Sequence, residues 1–359
     1  METADVAVVG GGPIGLELNA ALVNAGKSVA HYEAGAIGHT FGWWAPKTKF
    51  FSSPERIAIC GVPLVTPDQG KASQEQYRSY LVGVMQQFEL AVRTFTRVET
   101  IEKDGGGFVV RSRRSADGVG GPGCAGAAFG DRVDTVRVKD VVLAIGNMHR
   151  ARMIGCENED APNVSHYLED VQRYVGRRVV IVGGKNSAAE AAIRLYRAGA
   201  HVTMCYRGEE FDAGRIKYWV LPELLWLIEK GRIALKTSVN VVRVGEDSVT
   251  LDTGETVAAD DVLMLTGYVQ DKGLFEQLGV ELTCDEIERP VLDRTTMRSS
   301  VPGVYVAGTA CGGSQNRARV FIENSHAHVD RICRAVAGVG VPWKLDPVIE
   351  GLGVVDEEQ

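Results

Sequence analysis

The hydrophobic pattern divides the chain into two similar stretches. A strand is predicted over Asp5 to Val9, opening into Gly10-Gly11-Gly12-Pro13-Ile14-Gly15. A helical period follows from about Ile14 to Ala25 and stops at Gly26; a second strand, Ser28 to Tyr32, ends at Glu33. Strand, glycine turn, helix and strand in about 33 residues is the size of one dinucleotide-binding unit. The pattern returns at residue 178. Arg178 to Val182 reads as a strand, Gly183-Gly184-Lys185-Asn186-Ser187-Ala188 as the turn, Ala189 to Ala198 as a helix stopped by Gly199, and His201 to Tyr206 as the next strand. A recurrence after about 170 residues is far too long for a solenoid repeat and predicts two separate nucleotide units.

The remaining pattern supplies the connections. Gln74 to Phe88 reads as helix, Ala91 to Glu102 as a strand region, and Val138 to Ile145 as an apolar strand ending at Gly146. The Gly-, Ala- and Arg-rich stretch from Arg111 to Asp134 reads as a hairpin with a long flexible loop. After Val262 to Gly267 the chain is expected to return to the first domain through Gly303 to Thr309 and a terminal helix, about Ala318 to Ala337. The expected fold is α/β, with two Rossmann-like domains, the second inserted into the first. Residues 1–154 and 262–359 form the outer domain, 172–255 the inserted one, and 155–171 with 256–261 the crossings.

Length and composition narrow the class. The 359 residues suit two to three domains at about 150 residues each. Glycine is the outlier, 42 residues or about 12%, against about 7% ordinarily. With no G-X-Y period, that excess belongs to backbone turns and the loop. Net charge is 39 − 46 = −7, which argues against a nucleic-acid footprint. No apolar run approaches 18 residues and no basic segment precedes the first strand, so neither a membrane span nor a secretory leader is expected. Seven cysteines, at 60, 124, 156, 205, 284, 311 and 333, form no CxxC and no zinc spacing, which suits reduced thiols in the cytoplasm. No metal site is expected, and a homo-oligomer is.

The two turns differ in chemistry. Gly10, Gly12 and Gly15 occupy the G-x-G-x-x-G places, which provide a tight turn, an approach for pyrophosphate and close helix packing. Glu33 stands where a carboxylate binds ribose hydroxyls. In the second turn Lys185 replaces the middle glycine, Ala188 the third, and Cys205-Tyr206-Arg207 replaces the acid. A guanidinium there suits a 2′-phosphate. The second site is thus read as an NADPH site led by Arg207, with Lys185, Arg215 and Lys217 assisting. A flavin plus a nicotinamide implies hydride passing from NADPH to FAD.

This arrangement resembles the thioredoxin-reductase-like flavoproteins with two dinucleotide-binding domains, and within them the YpdA family of bacillithiol-disulfide reductases. The resembling stretches are Phe50-Phe51-Ser52-Ser53-Pro54, Gly61-Val62-Pro63, Val179 to Ala198, Ile216 to Leu224 and Phe321-Ile322-Glu323-Asn324. The resemblance implies FAD on the outer domain, with Gly10, Gly12, Pro13, Ile14, Gly15, Glu33, Ser52, Gly146, Gly308 and Thr309 as its contacts. It implies NADPH on the inserted domain, with Gly183 through Ala188, Arg207, Arg215 and Gly267. The acceptor it implies is a small disulfide. Three departures stand out: no CxxC, Ile14 where the family often has Cys, and Thr309 where relatives place Asp. Cys311 is the thiol candidate, on the expectation that a helix N-terminus acidifies it. His326 and His328 are proton-donor candidates, and at most one of them can face the flavin. Lys49 could bond the flavin or face solvent, and the pairs Trp43-Trp44 and Phe50-Phe51 read as packing. A flavin monooxygenase, though no FxGxxxH stretch is found, and a non-enzymatic flavin sensor are the alternatives.

Overall fold

The structure is a computed structural model and describes residues 1–115, 128–314 and 320–345. It forms two compact units. One holds Met1–Trp43, Lys47–Arg150 and the chain from Tyr268 onward; the other holds Trp44–Pro46 and Ala151–Gly267. No helix among the described residues is long and apolar enough to cross a membrane.

In the first unit the strand Glu2–Val9 lies between Val29–Tyr32 and Phe129–Leu143 and runs parallel to both. Val304–Val306 adds a further parallel strand beyond Phe129–Leu143. Val6, Ala7, Val8, Val141, Val142 and Leu143 are fully buried, as expected of parallel strands covered on both faces. The helix Pro13–Asn24 begins with its proline in the first turn, where no N–H is required. It packs against the helix His326–Ala337. A capping box between Ser73 and Gln76 starts the helix Gln74–Gln87. The strand expected at 138–145 is longer, Phe129–Leu143, because its first half pairs with Gly107–Ser115. The loop tip at 116–127, with Cys124, lies outside the described residues. The terminal helix begins at His326 instead of 318. Before it, Asn324 accepts the Phe321 N–H and Ser325 donates to the Phe321 carbonyl, which holds a turn instead.

The second unit carries five parallel strands in the order Ala234–Thr237, His201–Tyr206, Arg178–Val182, Asp261–Met264 and Val164–Ser165. The helix Asn186–Ala198 ends on Gly199 in the left-handed region. Val241–Val244, Ser248–Leu251 and Thr256–Ala258 form a small antiparallel sheet. Domain bounds therefore differ from those expected. Asp261–Met264 pairs with Arg178–Val182, and Val164–Ser165 pairs with Asp261–Met264, so neither 262–267 nor 155–171 belongs to the outer unit or to a free crossing.

A Cβ added at Gly15 would lie 1.9 Å from the Gly10 carbonyl oxygen, a contact that rigid backbone cannot relieve. Gly15→Ala is expected to destabilise the first unit by about 1–3 kcal/mol, the usual range for overpacking. Chemical denaturation of wild type and variant checks this; an unchanged midpoint would show that the turn yields.

Candidate functional site

The first glycine turn is built by close approach. Gly10 sits at φ 115°, and a Cβ on it would meet the Ala144 carbonyl oxygen at 2.3 Å. At Gly12 the same test finds nothing within 4 Å. The space a side chain would fill there opens at the N-terminus of the helix Pro13–Asn24, whose free N–H groups favour an anion. That geometry fits a pyrophosphate. The Glu33 carboxylate accepts the Gly11 N–H at 2.6 Å and the Gly35 N–H at 2.7 Å. Each oxygen keeps a further lone pair, which suits ribose hydroxyls.

Four buried polar residues hold this region; Asn19, His31 and Gln270 were missed at the sequence level, and His328 was weighed there only as a proton donor. Asn19 faces His31 Nδ1 at 3.0 Å, and the other ring nitrogen lies 2.9 Å from the Gly10 carbonyl. The ring therefore accepts from the amide and donates to the turn. Burial lowers its pKa to about 4, against the Gly10 contact that raises it, so it stays neutral. On the other side His328 Nδ1 accepts the Gly308 N–H at 3.2 Å, and burial with nearby Arg331 and His326 lowers its pKa to about 3. Gln270 donates to both the Gly146 and Ala310 carbonyls, at 3.0 and 2.9 Å. Ile14 packs on Gly308, where a Cβ would lie 3.4 Å away. Gly146 and the half-buried Thr309 adjoin each other: a Cβ on Gly146 would lie 3.7 Å from Thr309 Oγ1. A polar residue inside an apolar helix or strand was the available signal, but spacing alone does not say what it binds.

Neither catalytic candidate has the environment expected of it. Cys311 is buried near the end of a short 3-10 turn, Gly308–Gly312, and its thiol points at the Val306 carbonyl, 3.4 Å away. Burial pushes its pKa well above the ordinary thiol value, the reverse of the expected acidification. His326 is committed elsewhere. Its Nδ1 lies 2.7 Å from Glu17 Oε2, and its Nε2 lies 3.1 Å from the Arg56 carbonyl. Both partners are acceptors, so both nitrogens carry protons and the ring is an imidazolium. Glu17 also accepts from Trp343 Nε1 at 3.1 Å and from the Cys60 N–H at 3.3 Å. Of the two histidines, it is His328 that reaches the Gly308 turn.

The second turn repeats the backbone of the first, with Lys185 and Ala188 in two glycine places and an aromatic ring in place of the acid. Gly10 N–H donates to the Tyr32 carbonyl and Gly183 N–H to the Cys205 carbonyl, which matches Tyr206 to Glu33. A Cβ on Gly11 would strike the Glu33 side chain at 2.7 Å; on Gly184 it would strike the Tyr206 ring at 2.3 Å. An aromatic ring, stacked on Phe211 at 5.3 Å, thus replaces the carboxylate. Ala188, fully buried, fits the third glycine place. Arg207 follows the ring, exposed and in no ion pair among the described residues. Partial burial lowers the Lys185 pKa, as do the nearby Arg215, Arg152 and Arg207. Asn186 accepts the Lys217 N–H at 2.7 Å, while Ser187 is exposed in the first helical turn and Gly267 faces open space. Arg215 pairs with Asp212 and Lys217 with Glu190, so Lys217 is held inside the fold.

Lys49 pairs with Asp68 at 2.8 Å in solvent, and Phe50 packs edge-on to Phe41 and Tyr77. Ser52 is half-buried. Among the described residues no cluster of His, Cys, Asp or Glu could hold a metal, and six cysteines are free thiols.

Two glycine turns at helix starts on parallel sheets are the geometry of a protein with two nucleotide sites. Residues 7–116 and 131–308 match the family described as pyridine nucleotide-disulphide oxidoreductase. The chain belongs to that family and is an enzyme of this class, in its Bdr (YpdA) branch. Bacilliredoxin reductase Bdr of Bacillus subtilis (strain 168) is 30% identical over 92% of this chain and 96% of its own. The solved structure of bacillithiol disulfide reductase Bdr (YpdA) from Bacillus cereus superposes with a TM-score of 0.85 at 30% identity, over 94% of this chain and 99% of that one. Thioredoxin reductase of T. acidophilum, at 21% identity and a TM-score of 0.65 over 94% and 97%, shares the fold.

Two outcomes follow from the buried groups. Burial lowers the His326 pKa, but Glu17 and the Arg56 carbonyl outweigh it, so the folded value lies above the ordinary one. Its contribution is therefore full below the unfolded pKa of about 6.5 and is lost as pH rises through the folded value. His326→Ala is expected to cost about 3–5 kcal/mol at pH 6, with the gap to wild type narrowing towards pH 9. Denaturation at a series of pH values reads the gap; a constant one would mean a neutral ring. Alkylation of native protein, mapped by mass spectrometry, is expected to mark the exposed Cys284 and spare Cys60, Cys205, Cys311 and Cys333. Rapid labelling of Cys311 would restore it as a nucleophile.

Proposed function

We propose that this enzyme reduces a small disulfide, of the bacillithiol-disulfide class, at the expense of NADPH. FAD is held by the first unit and NADPH by the second. The balance is one disulfide, one NADPH and one proton giving two thiols and NADP⁺. When bound, the two cofactors supply the hydride relay. The observation that carries the reading is the exchange at one backbone-matched position: Glu33 in the first turn, Tyr206 followed by Arg207 in the second.

In the first unit, the opening at Gly12 admits a pyrophosphate and Glu33 accepts ribose hydroxyls. Gly146, Gly308 and Thr309 line the same region, kept in place by Gln270 and His328. In the second unit, Tyr206 replaces the charged acceptor with a neutral phenol, and the Arg207 fork matches a 2′-phosphate. Lys185 and Arg215 add positive charge, while Asn186 fixes the neighbouring segment. Ile14 supplies no thiol, no CxxC exists, and burial raises the Cys311 thiol well above its ordinary value. The disulfide is therefore read as reduced by the flavin without a mixed disulfide to Cys311. Free thiols throughout the described chain suit the cytoplasm. A homo-oligomer would cover exposed apolar side chains such as Tyr218 and Trp226.

The test separates the half-reactions. Anaerobic NADPH is expected to bleach the flavin of the yellow protein much faster than NADH, and a small disulfide to restore it. Arg207→Ala is expected to weaken NADPH by about 1.5–3 kcal/mol, ten- to a hundredfold, with NADH little changed. Equal losses for both cofactors would remove Arg207 from the 2′-phosphate. Bleaching that no disulfide reverses would remove the proposed substrate.

A further inference from the structure

We propose that Arg152, which no sequence motif singles out, binds the phosphate on the nicotinamide side of the dinucleotide. The proposal rests on the reading of the second unit as the NADPH site.

Position comes first. The Arg152 N–H donates to the Gly267 carbonyl at 2.9 Å, and Thr266 Oγ1 donates to the Arg152 carbonyl at 2.5 Å. The residue is thereby pinned to the loop that follows the strand Asp261–Met264. That strand flanks Arg178–Val182 on the side opposite His201–Tyr206. Dinucleotides on doubly wound sheets lie outside the carboxyl ends of the strands, across the switch point between such flanking strands. Arg207, just after His201–Tyr206, is on the adenosine side; Arg152, beside the end of Asp261–Met264, is on the other.

The side chain supplies the second observation. Arg152 Nε is buried and has no acceptor, although the residue as a whole is only half-buried. A buried charged donor without an acceptor is unfavourable, and an anion relieves it. Anchoring the loop does not explain the side chain, because both loop contacts use Arg152 backbone atoms.

The third observation is the field. Besides partial burial, Arg215, Arg152 and Arg207 all lower the Lys185 pKa, so the positive charge of Arg152 reaches the glycine turn. The acid that opposes them there, Asp212, pairs with Arg215. The excess positive charge is what a pyrophosphate requires.

The test uses flavin-loaded protein and calorimetric titration with NADP⁺, NAD⁺ and 2′,5′-ADP, the last lacking the nicotinamide-side phosphate. Arg152→Gln is expected to weaken NADP⁺ and NAD⁺ alike, by about tenfold, and to leave 2′,5′-ADP within twofold of wild type. Arg207→Ala is expected to do the opposite, weakening NADP⁺ and 2′,5′-ADP and sparing NAD⁺. An Arg152→Gln protein with both dinucleotides within twofold overturns the proposal. A loss that extends equally to 2′,5′-ADP also overturns it, by moving Arg152 to the adenosine side. If Arg207→Ala is silent as well, the reading of the second unit has failed; if Arg207→Ala behaves as expected, only the Arg152 assignment has. Should Arg152→Gln not accumulate as loaded protein, Arg152→Lys decides: it keeps the charge and loses the fork, and equal partial losses for both dinucleotides support the proposal while wild-type affinities overturn it.

Discussion

The architecture depends on backbone passing backbone without side chains at the carboxyl ends of two strands. Gly10 lies against the Ala144 carbonyl, and Gly183 lies against the Leu265 carbonyl, where a Cβ would come within 2.5 Å. Each contact brings the start of a helix over the edge of its sheet. At the first turn the helix N–H groups face the open space beside Gly12. Parallel strands buried on both faces follow from the same geometry, because the helix must return over the sheet it leaves.

Polar groups inside the first unit serve this geometry. His31 and His328 are buried and neutral, and each uses one nitrogen to fix a turn backbone, at Gly10 and Gly308 respectively. Gln270 ties Gly146 to Ala310 with a single amide nitrogen. His326 differs because it faces only acceptors. It is held charged by Glu17, in a buried pair that joins the first helix to the last. Burial of the same residue type thus gives a neutral ring or an imidazolium according to the partners alone.

The two turns share a backbone path and differ in what stands over it. One position, matched by backbone hydrogen bonds, carries Glu33 in the first and Tyr206 in the second. Both side chains fill the space over a glycine, at Gly11 and Gly184. The carboxylate keeps spare lone pairs on a charged group for hydroxyl donors; the phenol is neutral, and the next residue, Arg207, is exposed beside it. Ile14 is packed on Gly308, and burial raises the Cys311 thiol well above its ordinary value.

The local rules were legible in the sequence. Apolar runs and glycine spacing are short-range features, and they located both sheets and both turns; that the Glu33 place is taken by Tyr206, with Arg207 one residue on, was settled by the backbone pairing. The hairpin arm and the helix Gln74–Gln87 were equally readable, since period and caps are written within a few residues. Tertiary structure decided what depends on distant partners. The bound at 262 failed because pairing with Arg178–Val182 captures Asp261–Met264, more than 75 residues away in sequence. The histidines could be weighed only as residues two apart on a helix; their charge states were set by Glu17 and by the Gly308 backbone. The Cys311 thiol was read from its place after a turn, whereas its pKa is governed by burial. Arg152 has no motif, and only the loop at Thr266 and Gly267 brings it to the second turn. Backbone geometry is encoded locally, but the protonation and pairing of a side chain depend on which groups folding places around it.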